Sequence, residues 1–170
     1  MAKLPIRTYP DPVLAQKAAP VTEITPEIAK LIEDMVQTMY ESDGVGLAAP
    51  QVGHSIRLIT IDETGPKERK NPIVLLNPEF SDCTGEKESE ESCLSLPTFT
   101  CKVKRSEFVT VRGLNEKGQA VELKAEGLLA IILQHEADHL EGKTLVDHAS
   151  RLKRTMYDSK VKKWKKDSQN

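Results

Sequence analysis

No long apolar run occurs in the sequence: the longest, Leu128 to Leu133, holds six residues, far short of the roughly 20 that a helix needs to span a bilayer. Met1 to Ile6 has neither an apolar core nor a small-residue cleavage site, so no secretory signal is visible. Cysteine is scarce. Cys83, Cys93 and Cys101 cannot all pair with one another, and without an export signal they read as reduced thiols in a cytosol rather than as a disulfide framework. Nor is there an excess of one charge: 24 Lys and Arg face 26 Asp and Glu, a net of −2, which argues against nucleic-acid binding by the body of the protein. Repeats, low-complexity stretches and interdomain linkers are missing too. What remains, 170 residues with 38% hydrophobic and 29% charged, has the size and balance of one globular domain with a core of its own. The balanced total hides an asymmetry. Residues 151–170 hold eight Lys or Arg against two Asp, a net of +6, which leaves residues 1–150 at −8.

Thr25-Pro26-Glu27 has the marks of a helix start, with a hydroxyl N-cap, proline in the first turn and an acid facing the dipole. Ile28, Leu31, Ile32, Met35, Val36, Met39 and Tyr40 then follow at helical spacing, as on an amphipathic helix, and Asp43-Gly44 ends it. Gly44 to Gly53 reads as loop or extended chain. Ile56–Ile61, Ile73–Leu76, Glu107–Val111 and Ala120–Leu123 read as strands, the last two joined through the turn signal Asn115 to Gly118. Asp62 to Asn71 is expected as a loop, and the acid-rich Glu79 to Glu91 as a solvated stretch. Gly127 to Leu140 forms a second helix with apolar residues on every side, which implies burial. A last helix is expected from Ser150, anchored by Leu152, Met156 and Trp164.

The far half of the second helix carries His135-Glu136-Ala137-Asp138-His139. Histidines at i and i+4 share one helix face and can reach one cation, while the glutamate beside the first can accept a proton from water held there. Burying so many polar groups is costly unless they are bonded or bound to a metal. A catalytic metal usually takes three protein ligands. Leu145 stands where one protease class has its third histidine, and no glutamate follows Glu141, so the third ligand is sought upstream. Cys93 is the best candidate and Cys101 its competitor. Gly44 to Ala49 matches a dinucleotide fingerprint only superficially: it follows a helix, and Pro50 comes directly after it.

Three ordered blocks together resemble the peptide deformylases. Gly44-Val45-Gly46-Leu47-Ala48-Ala49-Pro50-Gln51 satisfies the first block, and His135 to His139 the third. The second reads Glu91-Ser92-Cys93-Leu94-Ser95, with serine where the family usually has glycine, and Thr98-Phe99-Thr100 lacks a glycine common after the proline. Tyr9 to Leu14 and Gly127 to Ala130 also look like family sequence. The resemblance implies an α+β fold, with antiparallel sheets packed around a buried central helix that carries the histidines, and a C-terminal helix. It implies a metal-dependent hydrolase that removes the formyl group from N-terminal formylmethionine of nascent chains and releases formate. Cys93, His135 and His139 would hold one divalent ion per chain, Fe²⁺ natively and Zn²⁺ or Ni²⁺ in preparations. Glu136 would move the proton, and Gln51 and the backbone N–H of Leu94 would stabilise the oxyanion. Val45, Gly46, Glu91, Leu128 and Ile131 would meet the substrate. Residues 1–150 would form the metallohydrolase domain and 151–170 a basic tail suited to ribosome contact, in a bacterial-type cytoplasm, with no membrane or DNA partner. The alternatives are a non-catalytic or weakly active metal-binding relative and a zinc peptidase. Ser92 is expected to take an ordinary φ below zero.

Overall fold

The computed structural model of the chain describes residues 2–169. Helix α1, Pro26–Glu41, starts where the Thr25 hydroxyl accepts from the Ile28 N–H at 3.3 Å, and it buries Leu31, Ile32, Met35 and Met39. Asp43, at φ +58°, turns the chain out of the helix. Strands β1 (Gly46–Ala48), β2 (Leu58–Ile61) and β3 (Ile73–Thr84) follow, with the short helix α2 (Gly65–Glu68) between the last two. Next come β4 (Lys87–Cys93), β5 (Leu96–Arg105), β6 (Phe108–Leu114) and β7 (Ala120–Glu126), then α3 (Gly127–Leu140) and α4 (Arg151–Ser168). The expected α+β architecture is what the chain adopts. Antiparallel pairing gives a five-stranded sheet in the order β1-β2-β3-β6-β7 and a separate hairpin, β4-β5.

Two cores meet at the first three strands. Ala130, Ile132, Leu133 and Leu140 of α3 pack on Ile59, Ile61, Leu75 and Val111. Met35 and Met39 of α1 pack with Leu47, Leu58 and Leu76. Strand β2, covered on both sides, is therefore buried at all four positions. A third cluster joins β5 to Leu145 and Val146, in the 3-10 turn after α3, and to Tyr157 of α4. No helix among the described residues is long and apolar enough to cross a membrane.

Gly44–Gly53, expected as loop or extended chain, holds β1 and a 3-10 turn, Ala49–Val52. Other expectations are corrected. Helix α2 interrupts the loop expected over 62–71. The acids of the 79–91 stretch are exposed as expected except Glu91, and the stretch lies on β3, β4 and the turn between them. Pro97 is the second residue of β5. Leu128 is 52% exposed despite its place in the buried helix. Leu152 and Met156 are 71% and 65% exposed, so they anchor nothing. Helix α4 is held instead by Tyr157, whose ring meets Phe99 at 4.8 Å and Tyr9 at 5.8 Å, while Trp164, 37% exposed, packs on Tyr157 within the helix at 6.2 Å. An i, i+4 apolar pair marks a face without saying whether that face is covered.

Candidate active site

Helix α3 and the β4-β5 hairpin bring the chemistry together. His135 and His139, one helical turn apart, have ring centroids 5.4 Å from each other. The register of β4 on β5 shifts between Ser92 and Cys93, an irregularity of the kind that re-aims a side chain. The Cys93 Sγ lies 3.4 Å from the His139 Nε2. Cys93, His135 and His139 each offer a ligand atom, all within 4.8 Å of one another, and they form the one such group among the described residues. Cys101 is buried in β5 with its thiol against the Lys102 carbonyl, and Cys83 is exposed. Neither belongs to the donor set.

A buried network sets the histidines. The His135 Nδ1 lies 2.9 Å from the Glu91 Oε1, which leaves the Nε2 for the centre. Arg105 donates to both Glu91 oxygens, at 2.7 and 3.0 Å, and to the Asp138 Oδ2 at 2.7 Å. The His148 Nε2 lies 2.9 Å from the same Asp138 oxygen. Burial opposes the charge on Glu91, but hydrogen bonds from His135 and Arg105 outweigh it and hold the carboxyl at about 2. Glu91 thus stands in a different setting from the substrate contact expected of it: both its oxygens are engaged by Arg105 and His135. Arg105 and Asp138 had no assigned role. The alternation Cys101, Val103, Arg105 could have signalled an inward arginine, because inward parity in a strand demands a buried partner.

Glu136 is 4% exposed and its Oε1 has no partner among the described residues. Burial pushes its carboxyl up to about 7, while His135 and Arg105 pull the other way. Gly46 of β1 lies against it: a Cβ there would overlap the Glu136 Oε2 and come within 2.9 Å of the Ile132 Cγ2. Gln51 is fixed by accepting from the Ala48 N–H at 2.9 Å. Its amide nitrogen lies 3.1 Å from the Ser95 Oγ and 3.5 Å from the Cys93 Sγ. These groups open on a cavity of about 570 Å³. Val45, Gly46, Gln51, Glu91, Cys93, Leu94, Leu128, Ile131, His135 and Glu136 line it, while His139 lies buried behind. Sequence reasoning missed Ile132, Thr98 and Phe99, which line it as well. Ser92 keeps an ordinary negative φ in β4.

The donors suit a divalent first-row cation. Burial pushes His139 down to about 3, with repulsion from His135 and Arg105 adding to it, so this imidazole is neutral and able to ligate. His135 is the opposite case. Burial works against its protonation, but Cys93, Glu91 and Glu136 outweigh it and raise its pKa, so the pocket favours a positive charge. Two imidazoles and a thiol that can ionise, with an open side toward the cavity, match a catalytic rather than a structural site. With a buried carboxylate outside the donor set, this arrangement defines a class, the metal-dependent hydrolases.

Comparison with known proteins narrows the class. The polypeptide deformylase family profile matches residues 3–155. A peptide deformylase of Thermodesulfovibrio yellowstonii is 51% identical over 162 residues, covering 95% of this chain and 98% of that one. One of Syntrophobacter fumaroxidans is 48% identical, covering 98% and 96%. Among solved structures, a peptide deformylase from Legionella pneumophila superposes with a TM-score of 0.91 at 46% identity over 99% of both chains. One from Ehrlichia chaffeensis in complex with actinonin gives 0.90 at 35%, covering 96% and 98%. The chain belongs to the polypeptide deformylase family. Its activity is that of a metal-dependent deformylase, and neither the peptidase nor the non-catalytic alternative is supported.

Proposed function

We propose that the cavity hydrolyses the formamide of an N-terminal formylmethionyl chain, with Cys93, His135 and His139 holding one divalent cation. When bound, that cation supplies Lewis acidity and eases the ionisation of water. Glu136 takes the proton of the attacking water and passes it to the departing amine nitrogen. The water oxygen first adds to the formyl carbon, and collapse of the resulting oxyanion then breaks the C–N bond, leaving formate and an amino terminus that carries both water protons. The Gln51 amide and the Leu94 backbone N–H donate to the oxyanion that develops on the way. Val45 and Gly46 offer backbone groups to the substrate backbone, and Leu128 and Ile131 line the methionine side chain. Glu91 and Arg105 keep His135 oriented. The observation that carries this reading is the buried Glu136 carboxylate, with its unpartnered Oε1, beside three converging donors.

Fe²⁺ is the native ion we propose, as the family resemblance implies, with Zn²⁺ or Ni²⁺ replacing it in preparations. Residues 1–150 carry the chemistry, and the basic residues 151–170 contact ribosomal RNA in the bacterial cytoplasm. No membrane or DNA partner belongs to this reading. The test is formate release from formyl-Met-Ala-Ser by protein loaded anaerobically with Fe²⁺, together with the metal content of three single variants. Cys93→Ala should lose metal and activity, whereas Cys83→Ala and Cys101→Ala should keep both. Metal lost in Cys101→Ala and kept in Cys93→Ala would reverse the ligand assignment, and absence of formate release by the wild type would remove the activity.

A further inference from the structure

The cavity wall opposite α3 is built by Pro97, Thr98 and Phe99 of β5, and its backbone is unusual. Thr98 sits at φ +66°, in the left-handed region where a β-branched residue is an outlier. Such a residue persists only where its surroundings hold it. Helix α4 supplies those surroundings and touches each of the three wall residues. The Tyr157 hydroxyl donates to the Pro97 carbonyl at 3.0 Å. The Lys160 Nζ donates to the Thr98 Oγ1 at 2.9 Å. The Phe99 ring packs on Tyr157 at 4.8 Å with the planes tilted by 50°, and the Lys153 Nζ lies 5.3 Å from its centroid. Tyr157 is itself 5% exposed and fixed from the far side by Tyr9, whose hydroxyl reaches Asp158 at 2.6 Å.

Phe99 is buried in a cluster with Tyr157, whereas Pro97, Thr98 and Thr100 are exposed at the mouth of the cavity. A substrate with its formyl group beside Glu136 and its methionine against Ile131 must leave through that mouth. We infer that α4 is part of the substrate site: Tyr157 and Lys160 are positioning residues that set the Pro97–Phe99 wall, and that wall meets the substrate residues downstream of formylmethionine. The inference rests on the deformylation reading and extends it to this chain's own tail. A tail that merely packs on the body affects all substrates alike. A tail that sets the wall affects only those long enough to touch it.

Steady-state kinetics on formyl-Met amide and on formyl-Met-Ala-Ser separate the two. The measurements use the metal-loaded full-length wild type, Lys160→Met and Tyr157→Phe, each at known metal content. Lys160 is exposed, so its variant folds. Each variant should raise KM for the tripeptide by about three- to tenfold with kcat within about twofold, and leave KM for the amide within about twofold. In a Thr98→Gly background, which removes both the strained residue and the hydroxyl, Lys160→Met should add less than about twofold, because contacting groups are not additive. A tripeptide KM that rises less than about threefold in either variant, an equal rise on the amide, or an effect on kcat instead overturns the assignment. Wild-type protein that releases formate from neither substrate overturns the deformylation reading, and this inference with it.

Discussion

Glu136 is held by contact rather than by hydrogen bonds. Its Oε1 is unpartnered and Gly46 presses against its other oxygen, so the carboxylate stays free to accept a proton and release it. Glu136→Ala should therefore keep its metal and lose about 10²–10⁴ in turnover, the usual worth of one general acid–base group. Turnover within about tenfold of wild type at equal metal content would remove Glu136 from the mechanism. Gly46→Ala tests the same group from outside. The added methyl has nowhere to go unless the carboxylate or Ile132 moves, and a small displacement of a catalytic group can cost about 10²-fold. We expect kcat to fall by at least about tenfold while metal content is unchanged; unchanged kcat would mean that Glu136 adapts. At this scale the sequence was informative wherever chemistry fixes a spacing. Two histidines at i and i+4 can be read off a helix, and a cysteine in a matching block supplies the third donor. Glu91 and Arg105 were not legible in the same way, since their pairing across the β4-β5 hairpin depends on strand register.

The elements most visible in the sequence are those whose burial is one-sided. Helix α1 matches its apolar stripe and its Thr25 cap, and α3 matches its apolar run. Strand β4 was missed because its exposed acids carry no apolar alternation, and strand pairing together with the single buried Glu91–Arg105 pair holds it to β5. The segment after β2 shows a similar limit. Read as a polar loop, it is organised by Asp62, which is fully buried and accepts from the Tyr40 hydroxyl at 2.6 Å, the Thr64 hydroxyl at 2.6 Å and the Thr64 N–H at 2.9 Å. Burial opposes the Asp62 charge, but the hydrogen bonds from Thr64, Tyr40 and Asn71 outweigh it and lower its pKa. A carboxyl whose folded pKa lies below its unfolded value of about 3.9 stabilises the fold above that pH and stops doing so as pH falls through the lower value. Asp62→Asn should then be less stable than wild type at neutral pH by about 1–3 kcal/mol. The gap should narrow below about pH 4. Denaturant melts at pH 7 and near pH 3 check this, and a gap that stays constant would mean that Asp62 acts by shape and not by charge.

Across the whole molecule, charge is divided so that a +6 helix projects from a −8 body. The two faces of that helix differ. Tyr157 turns inward onto Phe99 and Tyr9, whereas Lys162, Lys163, Lys165 and Lys166 are exposed, as are the apolar Leu152 and Met156. Removing α4 altogether would confuse the faces, because the wall contacts of Tyr157 and Lys160 would go with it. Reversing Lys162, Lys163, Lys165 and Lys166 together to Glu leaves the inner face intact and isolates the outer one. If the outer face docks on ribosomal RNA, about four phosphate contacts make wild-type affinity fall roughly a hundredfold between about 50 and 200 mM salt. The fourfold reversal should abolish co-sedimentation with ribosomes at low salt while KM for formyl-Met-Ala-Ser stays at the wild-type value. Co-sedimentation that survives the reversal, or wild-type binding indifferent to salt, would make the lysines a solvated face and nothing more. Loss of binding together with a raised tripeptide KM would show instead that the two faces are coupled, so that whatever occupies the outside of α4 also changes the wall on the inside.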